Sequence, residues 1–77
     1  MQHVTVKTMN SGLKVIDLDG IRLKEKNIIQ LRSIMNHDAA KQSSAFMHHD
    51  SQFNNVRIEF WREPSARIIS LIKDAVA

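Results

Sequence analysis

The sequence predicts a small α+β domain in which helices cover one face of a three-stranded antiparallel sheet. Three observations lead to this class. The start of the chain alternates in polarity around a turn signal, two later segments carry apolar residues at helical spacing, and another alternating run lies between them. We therefore expect residues 1–77 to form a single domain with two or three helices and the element order ββα(α)βα.

A β-hairpin is expected first. Asn10-Ser11-Gly12 is a turn signal, because three-residue hairpin loops commonly place glycine in the left-handed region. This loop pairs Val6 with Ile16, whereas a shift of one residue would bring Val6 opposite Asp17. Asp19-Gly20 is expected to end the second strand. The predicted pairing collects apolar side chains on one face of the hairpin: Val4, Val6, Ile16 and Leu18.

The first helix is expected over Lys24–Met35. Its apolar residues form one stripe at helical spacing, namely Ile28, Leu31, Ile34 and Met35. The stretch that follows, residues 36–55, is rich in Ser, His, Gln, Asn and Asp. It is compatible with a second helix around Ala39–His48 followed by a polar loop, or with a mobile loop throughout. We favour the helix, since twenty residues without secondary structure are unusual in so small a domain.

The third strand and the closing helix have the clearest patterns. Val56–Trp61 alternates strictly, with Val56, Ile58 and Phe60 on the apolar side. Pro64 then suits the first turn of a helix. From Ser65 onward the apolar residues fall on one side, as in an amphipathic helix. Packing both helices on one side of the sheet buries every apolar stripe.

Composition excludes several classes of protein. The chain has no cysteine, so it holds no disulfide, thiolate metal site or cysteine nucleophile. No apolar run approaches the roughly 18 residues of a membrane span. The first residues lack the basic and apolar regions of a signal peptide, so a cytoplasmic location without membrane association is expected.

Catalytic and metal-binding patterns are weak. His37-Asp38 and His48-His49-Asp50 contain metal-ligand chemistry, but not at a spacing that brings two imidazoles together on one helix. Asp17-x-Asp19-Gly20 resembles part of a calcium loop, yet Val15 and Lys26 would occupy ligand positions. No serine elbow or phosphate-binding glycine loop is present. We therefore expect no cofactor, no metal and no enzymatic activity.

The sheet face away from the helices is the strongest candidate for a binding surface. It would display Lys7, Val15, Arg57 and Trp61. A tryptophan with apolar and arginine neighbours is typical of a protein-binding hot spot. We therefore expect a small regulator, inhibitor or adaptor that binds a partner protein, a second copy of itself, or both; a homodimer would also compensate for the small core. Trp61→Ala and Val15→Asp are expected to abolish association while leaving the fold intact.

Nucleic-acid binding is the alternative function. The formal charge is +3, from 11 basic and eight acidic residues. Arg22, Lys24 and Lys26 precede or begin the first predicted helix, where phosphates bind favourably, although Glu25 interrupts the cluster. Arg57 with Trp61, and Lys7 beside them, offers a second platform for stacking with cationic neighbours.

Overall fold

The computed structural model describes residues 4–18, 21–53 and 55–77. Over these residues the fold is α+β, with three helices and a four-stranded antiparallel sheet in the order β1-β2-β4-β3. The strands are β1 (Val6–Thr8), β2 (Lys14–Asp17), β3 (Ala45–Asp50) and β4 (Asn55–Phe60). The helices are α1 (Glu25–Ile34), α2 (Asp38–Gln42) and α3 (Ala66–Val76).

The N-terminal hairpin has the predicted register. Val6 pairs with Ile16 and Lys7 with Val15. Gly12 closes the turn with φ +89°, the left-handed conformation that glycine adopts without a steric penalty. Asp19-Gly20, expected to end the second strand, lies outside the described residues.

The segment between α1 and β4 differs from the sequence-based expectation. The second helix ends at Gln42, and β3 replaces its expected continuation to His48, so the prediction of three strands is wrong by one. Ser43 is the C-cap of α2, and its buried hydroxyl shares its proton between the Ala39 carbonyl at 3.0 Å and the Ala40 carbonyl at 3.1 Å. Ser44 then adopts φ +51°, which redirects the chain into the sheet. Six register pairs with β4 form a hairpin that stabilises β3, and this pairing overrides the local helical preference.

The core lies between the helices and one face of the sheet. Ile16, Ile58 and Phe60 point from β2 and β4 toward the helices, and all three are buried. Asn27 ties α1 to the end of α3: its Oδ1 accepts from the Lys24 N–H at 2.8 Å, and its Nδ2 donates to the Ala75 carbonyl at 2.8 Å. The helical side of the core is formed by Ile28, Leu31, Ile34, Ala39, Ala40, Ile68, Ile72, Ala75 and Val76.

Within the described part of the chain, no helix has the length and apolar character needed to cross a membrane.

Candidate interaction surface on the open sheet face

The face of the sheet opposite the helices, here called the open face, is set by strand alternation. The core-facing residues of β2 and β4 have even numbers, so their odd-numbered neighbours point the other way. Pairing with β4 places the even-numbered residues of β3 on the same face as the odd-numbered residues of β4. The strand residues of the open face are Lys7, Val15, Asp17, Phe46, His48, Asp50, Asn55, Arg57 and Glu59.

Trp61 follows β4 at one end of the open face and is 69% exposed. Its N–H lies 3.5 Å from the Ser44 carbonyl, which continues the pairing between β3 and β4 by one residue. Its side chain lines a groove of about 390 Å³ that also includes Leu13 and Gly12 of the hairpin turn. The sole tryptophan therefore lies at the surface, as the sequence predicted, beside partly apolar neighbours.

Phe46 and His48 are two of the open-face residues that sequence reasoning did not assign to this surface. Phe46 is 57% exposed, and its ring centroid lies 4.7 Å from that of His48. The Nε2 of His48 lies 3.3 Å from Oε1 of Glu59. Glu59 is the residue directly opposite Phe46 in the β3–β4 register. Phe46 is also one diagonal step from Trp61, a spacing that long aromatic side chains can bridge. The two aromatic residues thus belong to one patch.

Val15 supports this patch from below rather than projecting from it, and Arg57 is only partly exposed. Val15 lies on the open face as expected, but it is only 1% exposed, between Lys7 and Glu59. A partner cannot contact it directly. Arg57 is partly buried, and its Nε is a buried donor with no hydrogen-bond partner among the described residues. Leaving this donor buried and unpaired costs free energy.

The open face carries mixed charge. Lys7 and Arg57 are its cations, and they are outnumbered by three carboxylates when His48 is neutral, namely Asp17, Asp50 and Glu59. A surface of this kind attracts phosphate weakly, because electrostatic affinity for nucleic acid requires a net positive field.

The second basic cluster lies elsewhere. Arg22, Lys24 and Lys26 are exposed around the start of α1, away from the open face. The Lys24 N–H is already bonded to Asn27, so one of the amides that would meet a phosphate is occupied.

The three candidate histidines do not converge. His37 caps α2, its Nδ1 accepting from the Ala39 N–H at 3.2 Å. His48 lies on the open face, whereas His49 points to the opposite side of β3. Among residues 4–18, 21–53 and 55–77 no group of three or more His, Asp or Glu side chains is arranged to hold a metal ion.

Comparison with family models, curated proteins and solved structures finds no match to this chain.

Proposed function

We propose that this chain is a non-enzymatic protein-interaction module, a regulator, inhibitor or adaptor that binds a partner protein through its open face. The observation that carries the proposal is the exposure of Phe46 on β3 and of Trp61, the residue after β4, on one face of the sheet. Large aromatic side chains bury extensive area on binding at low entropic cost and dominate interface energetics. Apolar groups rimmed by charged residues are typical of such surfaces.

The residues we assign to partner binding have distinct roles. Trp61 and Phe46 would enter the partner's pockets, while Lys7 and Arg57 would meet its polar rim. Val15 would act indirectly: it is buried beneath the surface and would hold the neighbouring strand residues in position.

Nucleic-acid binding remains the second candidate, because two aromatic side chains rather than one now share a face. Stacking on single-stranded nucleic acid generally uses several aromatic residues with cations beside them. The carboxylates of the open face weigh against this candidate, and we therefore place protein binding first.

Affinity purification from the native host with matched variants tests the proposal. The baits are the natural chain, Trp61→Ala, Phe46→Ala and Phe53→Ala, each with and without nuclease, followed by quantitative mass spectrometry. Phe53 is the control because it is 66% exposed but lies in the β3–β4 turn. We expect a set of proteins retained by the natural chain and Phe53→Ala, lost from the other two, and unaffected by nuclease.

Two results would change the conclusion. Loss of the captured proteins on nuclease treatment would favour nucleic-acid binding. Equal capture by Trp61→Ala, Phe46→Ala and the natural chain would remove the open face as the binding surface. Sedimentation velocity of the same variants reports self-association, and a dimer lost in Trp61→Ala would identify a second copy as the partner.

A further inference from the structure

An apolar row crosses the open face at the end of the sheet where β4 finishes, here called the Trp61 end. The Met9 N–H donates to the Leu13 carbonyl at 2.8 Å, so these two residues lie opposite each other beside the hairpin turn. One step beyond the pair of Lys14 and Phe60, the β2–β4 register places Leu13 opposite Trp61. Met9, Leu13 and Trp61 each lie one residue outside a strand, and strand alternation assigns all three to the open face.

The groove beside Trp61 lies between this row and the hairpin turn. Its volume is about 390 Å³, and its lining includes Gly12, Leu13 and Trp61. Gly12 has no side chain to fill it, and a Cβ built there would meet no atom within 4 Å. Pockets for small ligands are about 300–1,000 Å³ in volume, so the groove can receive a bulky apolar side chain.

The groove is lined by two cations and one carboxylate. The carboxylate, Glu63, is compensated: its Oε2 lies 4.0 Å from Nζ of Lys14, which also donates to the Thr8 hydroxyl at 2.9 Å. The other cation, Arg62, is exposed, and among the described residues its guanidinium has no hydrogen bond or ion pair. A free guanidinium can bind a carboxylate through two parallel hydrogen bonds.

The charged residues of the open face leave this excess of one cation in place. The row nearest the groove carries one charge of each sign, because Lys7 and Glu59 both pair with Val15. The other carboxylates, Asp17 and Asp50, end β2 and β3 at the opposite end of the sheet. The open face is thus apolar and basic at the Trp61 end and acidic at the other.

We propose that the partner is an acidic segment of another protein, which inserts a bulky apolar side chain into this groove and places an adjoining carboxylate on Arg62. This inference rests on the proposed function, since it names the chemistry of the partner that the open face binds. A second copy of the chain fits less well. Packing one Trp61 end on another brings like charges together, whereas packing it on the acidic end leaves the apolar row against charged side chains.

Selection from a phage-displayed library of random dodecapeptides tests this proposal. Peptides are selected on the full natural chain and counter-selected on Trp61→Ala, which loses the largest side chain of the groove. We expect enriched peptides to combine a bulky apolar residue with an aspartate or glutamate close to it in sequence. Absence of enrichment over the Trp61→Ala background, or enriched peptides without acidic residues, would overturn the inference.

Trp61 reports directly on occupation of the groove, because it is the only tryptophan in the chain. Enriched peptides that contain no tryptophan are synthesised and titrated into the natural chain. A side chain that enters the groove shields the exposed indole from water, so we expect the emission maximum of Trp61 to move to shorter wavelength. Binding detected by calorimetry that leaves this emission unchanged would place the peptide elsewhere and overturn the inference.

Matched charge variants test the carboxylate contact by calorimetry with the same peptides. Arg62→Glu should weaken binding about fivefold to tenfold, whereas Lys73→Glu, the same change at an exposed site near the end of α3, should change it by less than about twofold. Arg62→Lys keeps the charge but not the two parallel hydrogen bonds, and should fall between them. Equal affinity of Arg62→Glu and the natural chain would overturn the inference.

The outcomes separate this inference from the proposed function. Binding that requires Trp61 and Phe46 but neither Arg62 nor an acidic residue in the peptide would overturn the inference and leave protein binding by the open face standing. Protein capture that persists in Trp61→Ala and Phe46→Ala would remove both. A single-stranded oligothymidylate that shifts Trp61 emission, and whose binding is lost in Arg62→Glu, would overturn the inference in favour of nucleic acid.

Discussion

Val15→Asp should remove a large part of the protein's stability, because the open face is packed around this residue. Val15 is 1% exposed and lies between Lys7 and Glu59 in the strand register. The substitution forfeits about 1.5–3 kcal/mol of apolar burial and adds a second carboxylate beside Glu59. Leaving a charge buried without a partner costs about 3–5 kcal/mol, but Lys7, directly opposite position 15, offsets part of that cost, so we expect a total loss of about 4 kcal/mol. Domains of this size have about 4–12 kcal/mol of stability in total.

Urea denaturation followed by far-ultraviolet circular dichroism measures this loss. Val15→Ala, which removes two buried carbon atoms and adds no charge, should cost about 2 kcal/mol. Trp61→Ala should change the free energy of unfolding by less than about 0.5 kcal/mol, since the side chain is largely exposed. A cost below about 1 kcal/mol for Val15→Asp would refute the packing described for the open face. The sequence-based expectation that both Val15→Asp and Trp61→Ala leave the fold intact is thus retained only for Trp61.

Three further substitutions test individual features by the same measurement of unfolding free energy. Gly12→Ala should destabilise by about 1 kcal/mol, because the added Cβ meets no atom within 4 Å and the cost comes from the positive φ alone; an unchanged midpoint would contradict the turn conformation. Ser44→Gly should stabilise by about 0.5–1 kcal/mol, since a residue with φ +51° gains from losing its Cβ; a loss of stability would show that the serine side chain contributes more than its backbone costs. Asn27→Ala should cost about 1–3 kcal/mol through two lost hydrogen bonds, against almost nothing for the exposed Asn36→Ala; equal effects would mean that the link between α1 and α3 is not a stabilising one.

Local sequence patterns predicted the N-terminal hairpin and the first and last helices, which depend mainly on contacts between residues close in sequence. The N-terminal hairpin followed from its turn and from the sorting of apolar side chains, and the first and last helices followed from their stripes. β3 was missed because Ala45 and Met47 favour helices and its alternation ends in His49, a polar residue on the core side. Its pairing with β4 is a tertiary effect. One signal was available: the polar stretch after Asp50 is typical of a turn joining two strands of six residues.

Because β3 was not predicted, the binding surface predicted from the sequence lacked the residues of that strand. Trp61 was identified because it ends a strictly alternating run, but Phe46 lay in a segment interpreted as helix and so had no assigned face. Burial of Val15 was also beyond the sequence, since it results from the packing of Lys7 and Glu59 across two strand pairs. Neither fact changes the expected surface, yet both change which substitutions can probe it.

The position of β4 between β2 and β3 has a consequence for how the protein folds during synthesis. The β1–β2 hairpin is synthesised before β4, and a lone hairpin is marginally stable in water. Its partner strand lies roughly 40 residues later, since Asp17 pairs with Arg57 and Lys14 with Phe60. Until residue 60 has emerged, Ile16 and Leu18 lack the surface that buries them. Until β4 has emerged, the nascent chain therefore exposes these apolar side chains to chaperones and to neighbouring chains.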